Sequence, residues 1–418
     1  MRLAVIGGGL AGLSAAIEAA KCGAEATLYD ARESLGGRAR TRVRDGFQLN
    51  EGAHALYVDG EAMAFLRELG CEPAGGVPAA SGGIGIDGAL AGPLPSGAWS
   101  LLRTPLLRGE RVNFGRLFAK LARLDASDFA EMTVNAAVAE LLGHGRASRL
   151  GHALFRLSTY GNDPGCASAD AGIMQLKYAL AGGVRYLDGG WQTIVDSLRT
   201  EAVAHGVIIE AGAKVNEVRS HDGGTELQVN GSTHAYQATI LAPGSPRLAG
   251  QLLGPVAPAT ACWAASARPS TVASLDVGLG VEWGPGPTFA LGIDEPLYLS
   301  VHAPVASLAD AGQALVHVSR YQKPDETPDT ERDRRACEEL LDRVRPGWRE
   351  DAVHVGFHRR LVAASDQPRA ERGGLGGRPG PGVPGMTDVY VAGDWVGPEG
   401  LLADASIASG RAAARLAT

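Results

Sequence analysis

Cysteine is scarce in this sequence. Only five of its 418 residues are cysteines, and they stand far apart along the chain, at Cys22, Cys71, Cys166, Cys262 and Cys337. Their odd number and wide spacing are typical of neither a disulfide framework nor a zinc site, and no close pair indicates a redox-active disulfide. We therefore expect a protein of the reducing cytoplasm that holds no metal.

The sequence also lacks basic runs and long uninterrupted apolar runs. The formal net charge is −7 and no basic run is present, so we expect no nucleic-acid partner. No stretch approaches the roughly 18 uninterrupted apolar residues that a membrane-spanning helix needs. The nearest is residues 89–107, which Pro93, Pro95, Arg103 and Pro105 interrupt. It is predicted to be a lid or wall of a substrate cavity, with peripheral contact to a membrane as the alternative.

Glycine, in contrast, is abundant, and its most informative cluster lies near the N-terminus. An apolar run at residues 3–6 predicts a buried strand, and Gly7, Gly9 and Gly12 follow it at the start of an alanine-rich helix that runs to about Lys21. In such a unit the first glycine permits a tight turn, the second lets a pyrophosphate approach the backbone, and the third lets helix and strand pack closely. The sequence therefore predicts a dinucleotide at the helix N-terminus.

Two polar residues extend this predicted site. A second strand over residues 26–29 ends on Asp30, which is placed to accept hydrogen bonds from the adenosine ribose and would repel the 2′-phosphate of NADP. Gly36 and Gly37 then place Arg38 after a tight turn, within reach of a pyrophosphate or a flavin edge. Its guanidinium can hold phosphate oxygens through two parallel hydrogen bonds.

A second dinucleotide site is not expected. The glycine-rich stretches 82–85 and 373–377 lack a helix after them and are predicted to be loops. A built-in NAD(P)H domain is therefore not predicted.

The C-terminal segment indicates which dinucleotide binds. An apolar run at 389–392 leads into Gly393 and Asp394, and a helix-like segment at 404–414 follows. Together with the N-terminal glycines, these pieces resemble the FAD-binding parts of the phytoene desaturase and flavin amine oxidase superfamily. Squalene-associated desaturase-like flavoproteins are among the closest in motif. The resemblance implies that the cofactor is FAD.

The resemblance also implies roles for particular residues. Asp394 would hold the ribityl–phosphate region, the backbone around Ala405 would face the flavin pyrimidine, and the backbone of Val215 would touch the adenine. Glu51 would contact a ribose or the backbone near the flavin. The expected FAD-binding residues are Gly7, Gly9, Gly12, Asp30, Arg38, Glu51, Val215, Gly393, Asp394 and Ala405.

Catalytic residues are harder to predict, because a flavin carries its own reactivity and needs no obligatory side-chain base. His54 is the best polar candidate, since its unperturbed pKa lies near physiological pH and suits a proton carrier. A hydrogen-bonded structural histidine at a turn is the alternative. Amine-oxidising relatives often use a lysine–water pair at flavin N5, but Lys177 lies in no matching motif and is predicted to be solvated.

Leu401 indicates the class of substrate. Amine oxidases commonly place an aromatic ring at the corresponding position of the C-terminal loop, where it orients a substrate nitrogen. An aliphatic side chain there would weaken cation recognition by ring faces and favour an apolar substrate. We therefore predict hydride transfer between an apolar, isoprenoid-like small molecule and flavin N5, as in a desaturase or dehydrogenase.

Three alternatives remain open at this point. One is an amine or amino-acid oxidase that uses O₂, and another is a flavin-dependent isomerase or mutase without net oxidation. The third is a flavoprotein that serves as a non-catalytic subunit. Neither the electron acceptor nor the oligomeric state follows from the sequence.

The predicted fold class is α/β. We expect a Rossmann-type FAD-binding domain that is interleaved with a substrate domain of mixed sheet and helices. The FAD-binding domain is predicted to comprise residues 1–58, 185–245 and 385–418. Residues 59–184 and 246–384 are predicted to form the substrate domain.

Overall fold

A computed structural model describes residues 1–79, 82–96 and 98–418 of the chain. Within these ranges the strands are β1 (Arg2–Ile6), β2 (Glu25–Asp30), β3 (Arg42–Arg44), β4 (Phe47–Leu49), β5 (Leu56–Tyr57), β6 (Gly75–Gly76), β7 (Gly83–Asp87), β8 (Leu90–Pro93), β9 (Val184–Leu187), β10 (Ile208–Ala211), β11 (Val215–His221), β12 (Gly224–Val229), β13 (Ser232–Tyr236), β14 (Ala238–Leu241), β15 (Ser270–Leu279), β16 (Phe289–Gly292), β17 (Leu297–Ala303), β18 (Ala314–Gln322), β19 (Ala352–Ala364) and β20 (Val389–Val391). The α-helices are α1 (Leu10–Lys21), α2 (Glu61–Glu68), α3 (Ala98–Arg103), α4 (Arg111–Leu121), α5 (Val134–Leu142), α6 (Arg146–Thr159), α7 (Ala169–Ala181), α8 (Gln192–Ala204), α9 (Pro246–Leu253), α10 (Pro258–Ser266), α11 (Thr330–Val344), α12 (Trp348–Asp351) and α13 (Ala403–Ala417).

Five strands form a parallel sheet in the order β10, β2, β1, β14, β20. At its centre Val5 lies beside Leu28 of β2 and Ile240 of β14, and all three are fully buried. Helices α1 and α13 cover one face, and the small antiparallel sheet of β11, β12 and β13 covers the other. A parallel sheet buried on both faces needs continuous apolar strands, and residues 3–6 of β1 and Val389–Val391 of β20 are of this kind. The predicted Rossmann-type α/β architecture is confirmed.

The last helix of the chain lies directly against the first. A Cβ atom on Gly410 of α13 would be 2.3 Å from the carbonyl oxygen of Ala11, so only glycine permits this approach. At the edge of the contact, Glu18 of α1 pairs with Arg411 at 3.0 Å and with Arg415 at 2.6 Å. The C-terminal segment is thereby held beside the N-terminal glycine turn.

A second, seven-stranded sheet has the order β19, β15, β18, β17, β16, β7, β8. Neighbouring strands are antiparallel except for β7 and β16, which are parallel. One face is apolar, and Val277 and Val316 pack there against Leu340 and Leu341 of α11. The opposite face carries buried polar side chains and forms part of the candidate site below.

The prediction of a loop at residues 82–85 was wrong, because Gly83–Asp87 is strand β7. Glycine is required within this strand for packing: a Cβ atom on Gly85 would lie 2.6 Å from the side chain of Leu106. At 373–377 the chain forms two short 3-10 turns around Gly373 and Gly374, both with positive φ.

Helices α4, α5, α6 and α7 surround an apolar cluster with the fully buried Leu150 at its centre. Of the predicted lid or membrane-contact segment 89–107, Leu106 and Leu107 pack into this cluster, whereas Trp99 and Leu102 are exposed. Gly97 lies outside the described residues. None of the helices that the structure describes has both the length and the apolar character to cross a membrane.

The chain passes between the two large sheets more than once. The parallel sheet draws its strands from residues 2–30, 208–241 and 389–391, and the seven-stranded sheet draws its strands from 83–93 and 270–364. The domain boundaries given above stay a prediction.

Candidate cofactor and substrate site

The glycine turn after β1 leaves room for a ligand at one point only. Gly7 has φ 110°, and its N–H donates to the carbonyl oxygen of Tyr29 at 2.7 Å. A Cβ atom on Gly12 would lie 1.7 Å from the carbonyl oxygen of Gly7, so α1 packs tightly on the turn. Beside Gly9, in contrast, the nearest atom to such a Cβ would be the carbonyl oxygen of Gly36 at 3.9 Å. No side chain caps α1 at Gly9, so its first N–H groups are available to an anion.

Asp30, the last residue of β2, also fixes the glycine turn. Its Oδ2 accepts a hydrogen bond from the N–H of Gly8 at 2.6 Å, and its Oδ1 accepts one from the N–H of Arg32 at 2.8 Å. An ionised carboxylate offers about four acceptor sites, so capacity remains for a ribose diol. The sequence predicted the contact between Asp30 and the ribose diol, but it did not show that Asp30 holds the glycine turn.

Arg38 and Asp394 form a bidentate ion pair, with both N–O distances at 2.8 Å. Asp394 also accepts the N–H of Ser365 at 2.9 Å, and Arg38 donates to the carbonyl oxygen of Ala363 at 3.0 Å. Burial alone would raise the pKa of Asp394, but the Arg38 charge and hydrogen bonds outweigh it and hold that pKa below its usual range. The pair lies where the end of β20 meets the end of β19.

The loop around Asp394 is fixed by two residues that the sequence analysis missed. The Ser409 hydroxyl of α13 accepts the N–H of Gly393 and donates to its carbonyl oxygen, both at 2.9 Å. Arg378 donates to the carbonyl oxygens of Asp394 at 3.0 Å and Gly400 at 2.9 Å. Burial lowers the pKa of Arg378 to about 10, which leaves it charged at neutral pH. Arg378 lies in a glycine- and proline-rich loop, where no sequence pattern marks it.

Two other predicted cofactor-binding residues, Val215 and Ala405, are buried beside the site. Val215 is the first residue of β11 and lies beside a β-bulge, and its side chain is 7% exposed. Ala405 is fully buried in the first turn of α13, where its N–H donates to the carbonyl oxygen of Leu401 at 3.4 Å. Their proposed contacts to FAD would be made by the backbone.

Glu51 and His54 follow β4 on the side of the seven-stranded sheet. Glu51 has φ 57° and pairs with Arg42 at 2.5 Å. The His54 Nδ1 lies 3.1 Å from the carbonyl oxygen of Gly52, and its ring meets the edge of Trp191 at 5.2 Å. Burial lowers the pKa of His54, so the ring is neutral at physiological pH.

Lys177 is more constrained than predicted. It is only partly exposed, and its Nζ donates to the carbonyl oxygen of Leu124 at 2.6 Å. The hydrogen bond holds the ammonium group against the turn before α5.

Leu401 is 2% exposed and packs against Ala171 and Leu375. It lines a small cavity that has both polar and apolar walls. The lining residues are Thr159, Ser168, Ala171, Ser270, Ala364, Gln367, Pro368 and Leu401.

The inner face of the seven-stranded sheet is the part of the site that the sequence analysis missed. Its side chains are polar and almost completely buried, and they come from three adjacent strands, in which polar and apolar residues alternate. They are Ser274 and Asp276 on β15, Ser300 and His302 on β17, and His317 and Ser319 on β18. Within the described part of the chain, His302 Nδ1, His317 Nε2 and Ser319 Oγ are buried without a hydrogen-bond partner.

Aromatic rings lie next to this polar face. The rings of Tyr160 and Tyr321 are 6.1 Å apart at an angle of 65°, and those of Phe289 and Tyr298 are 5.2 Å apart at 69°. The Tyr160 hydroxyl donates to the carbonyl oxygen of Ala53 at 3.1 Å. Burial raises the pKa of Tyr160, Tyr298 and Tyr321, so these phenols are neutral.

Residues 10–418 match the model of a known family, described as flavin containing amine oxidoreductase. The chain belongs to this family. The match spans both large sheets except β1, and the helical cluster, so this family member has the fold and the cofactor class that the sequence predicted.

Individual relatives of this family member are distant in sequence. An oxidoreductase from Methanosarcina mazei has a TM-score of 0.76 at 18% identity, over 98% of this chain and 99% of its own. Cyclohexylamine oxidase from Brevibacterium oxydans has a TM-score of 0.72 at 17% identity, over 100% and 98%. A probable zeta-carotene desaturase from Synechococcus elongatus is 35% identical over 72 residues, which are 17% of this chain and 15% of that protein. The solved structures therefore show the fold, and the short desaturase match leaves the substrate open.

This family member is an FAD-dependent oxidoreductase. The open space beside Gly9, the uncapped start of α1 and the acceptor capacity of Asp30 fit the pyrophosphate and ribose of FAD. Bound there, the flavin supplies a two-electron acceptor for hydride. Arg38, Asp394 and the start of α13 would hold the rest of the cofactor.

Asp404, in the first turn of α13, should make stability depend on pH. It is 2% exposed and accepts the N–H of Ala62 at 2.8 Å, at the start of α2. Burial raises its pKa from 3.8 to about 7, so its stabilising contribution is complete below about pH 4 and is lost as the pH rises to about 7. Between pH 5 and pH 8, the free energy of unfolding should fall by on the order of 2 kcal/mol less in Asp404→Asn than in the parent protein.

Chemical denaturation of the FAD-loaded proteins at both pH values measures this effect. Asp388→Asn, at a partly exposed carboxylate before β20, is the matched control and should leave the pH dependence unchanged. Equal pH dependence in the parent protein and Asp404→Asn would contradict the assigned ionisation.

Proposed function

We propose that this flavoprotein removes hydride from an apolar, isoprenoid-like substrate, as a desaturase or dehydrogenase. The observation that carries the proposal is a small cavity among α4, α5, α6 and α7 whose lining is wholly apolar. It is lined by Phe114, Leu117, Phe118, Leu121, Val138, Leu141, Leu142, Gly151, Leu154, Phe155, Ile173 and Leu176. Such walls favour a hydrocarbon through burial of apolar surface and offer a charged group no partner.

Helix α7 connects this cavity to the predicted flavin region. Ile173 and Leu176 line the cavity, while Ala171 and Met174 of the same helix pack beside Leu401. A long apolar chain lying along α7 would reach from the helical cluster to Leu401. There the aliphatic wall would orient the substrate and exclude water while the flavin accepts hydride. The short similarity to a carotene desaturase supports the same substrate class.

Filling the cavity tests the proposal. Leu117 is partly buried at the cavity wall, so Leu117→Trp should raise KM for a prenyl lipid about 10- to 100-fold, because added volume excludes the chain. Val112→Trp on the same helix is the matched control, since Val112 is 64% exposed and lies outside the cavity lining. The measurement is the rate of anaerobic flavin bleaching against lipid concentration. Equal KM values for the two variants would remove the cavity from the substrate path.

Amine oxidation is the second candidate, because aromatic rings attract cations. The Tyr160–Tyr321 pair could take the place of the aromatic wall that Leu401 lacks. The cyclohexylamine oxidase among the structural neighbours supports this reading. Rapid flavin bleaching by a simple amine, with peroxide released on admission of air, would favour it over the desaturase.

A further inference from the structure

On the polar face of the seven-stranded sheet, one buried carboxylate contacts two imidazole rings and one hydroxyl group. Asp276 is fully buried, and its Oδ1 lies 2.8 Å from Nδ1 of His317 and accepts the Ser274 hydroxyl at 2.9 Å. Its Oδ2 accepts the N–H of Gly52 at 3.3 Å and lies 3.4 Å from Nε2 of His358. These partners hold the pKa of Asp276 far below its usual range despite its burial, so the group is an anion.

His317 differs from the other buried histidines in its partner. Its Nδ1 faces the Asp276 carboxylate, which fixes the tautomer with hydrogen on Nδ1 and leaves Nε2 as the acceptor. Nε2 is completely buried and has no hydrogen-bond partner among the described residues. His302, whose ring centroid is 4.6 Å from that of His317, bonds Ser300 instead of a carboxylate. Burial lowers the pKa of His302 and of His54, so among these three neighbouring rings His317 is the one with a carboxylate partner to offset an added proton.

A continuous chain of contacts connects this group to the cofactor groove. Gly52 bonds Asp276, and its carbonyl oxygen lies 3.1 Å from Nδ1 of His54, whose ring faces the backbone of Arg38. The Arg38 side chain in turn pairs with Asp394. The Asp276–His317 dyad is therefore linked through Gly52 and His54 to the Arg38–Asp394 pair.

We propose that His317 Nε2 is the catalytic proton acceptor of the oxidation and that Asp276 is its positioning residue. The inference rests on the hydride transfer proposed above, but it holds for an apolar substrate and for an amine alike. One C–H bond of the substrate breaks as hydride, whose two electrons the flavin takes up. The neighbouring C–H or N–H bond breaks as a proton, and its electron pair becomes the second bond of the new C=C or C=N. The proton goes to His317 Nε2, and the Asp276 carboxylate offsets the resulting charge.

The kinetic test compares His317→Gln with His144→Gln, a matched variant at an exposed histidine. We expect His317→Gln to lower the rate constant of anaerobic flavin reduction about 10²- to 10⁴-fold, with KM and FAD content nearly unchanged. Asp276→Asn should lower the same rate constant with KM nearly unchanged, because the neutral amide no longer offsets the charge of the protonated ring. A parental rate in FAD-loaded His317→Gln would overturn the proposal.

Nuclear magnetic resonance of the parent holoenzyme, with ¹⁵N-labelled histidine, gives a readout that needs no substrate. The groups facing His317 are Asp276, His302 and His54, and Tyr186 stacks on His302 at 3.8 Å. We expect the Nδ1–H tautomer for His317. A ring with hydrogen on Nε2 would overturn the proposal even if both substrate classes reduce the flavin. If the expected tautomer is seen and neither class reduces the flavin, the substrate assignment fails and the dyad stands.

Discussion

Asp394→Ala is expected to release FAD from the protein during gel filtration. Asp394 is 1% exposed and neutralises Arg38 through two hydrogen bonds of 2.8 Å, so its loss leaves the guanidinium without its partner beside the cofactor groove. It also removes the carboxylate proposed to hold the ribityl–phosphate region. Hydrogen bonds to charged groups contribute about 1.5–3 kcal/mol each, and we expect a loss of about 2–3 kcal/mol, which is roughly 30- to 150-fold in Kd.

Two variants separate this effect from general damage. Asp388→Ala lies just before the same strand, at a partly exposed residue, and should retain FAD. Asp394→Asn keeps the shape of the side chain but not its charge, so its FAD affinity should lie between those of the parent protein and Asp394→Ala. Isothermal titration of the apoproteins with FAD measures all three affinities. A full flavin complement in Asp394→Ala would show that the residue does not hold the cofactor.

Gly12→Ala is expected to lower both stability and FAD affinity, whereas Gly9→Ala is expected to lower FAD affinity alone. A Cβ atom on Gly12 would be 1.7 Å from the carbonyl oxygen of Gly7, so α1 must move away from the turn. Overpacking of this kind costs about 1–3 kcal/mol of stability even without FAD. At Gly9 φ is −81° and the nearest atom to a Cβ would be 3.9 Å away, so alanine fits the empty turn. The added methyl group would occupy the space assigned to the pyrophosphate.

Thermal unfolding of the apoproteins and titration with FAD test this contrast together. Gly12→Ala should unfold at lower temperature and bind FAD poorly. Gly9→Ala should unfold like the parent and still lose at least tenfold in FAD affinity. Normal FAD affinity in Gly9→Ala would place the pyrophosphate elsewhere.

The cofactor half of the molecule was predictable because its signals are local. Strand β1, the glycine turn and α1 follow one another directly in the sequence, and Gly7 and Gly12 are required there by close backbone contacts. The Gly393–Asp394 turn is likewise marked by the apolar strand before it. What the sequence does not show is that Arg38 and Asp394, 356 residues apart, meet as an ion pair.

The polar face of the second sheet could not be predicted in the same way. Asp276 faces His317 only because β15 and β18 pair antiparallel in one register, and a shift of either strand by one residue would turn its polar side chain to the apolar face. The alternation Ser274–Asp276 and His317–Ser319 was present in the sequence, but alternation alone does not tell a buried polar face from a solvated one. The glycine-rich strand β7 was missed for a related reason, since Gly85 serves the packing of Leu106 rather than a turn.

The most direct test of the account is the visible spectrum of the purified FAD-loaded protein without oxygen, with squalene and benzylamine added in separate samples. We predict that the prenyl hydrocarbon bleaches the oxidised flavin and that the amine does not, because the cavity among α4–α7 and the wall at Leu401 are apolar. Bleaching by benzylamine alone would contradict the proposed substrate class and favour an amine oxidase.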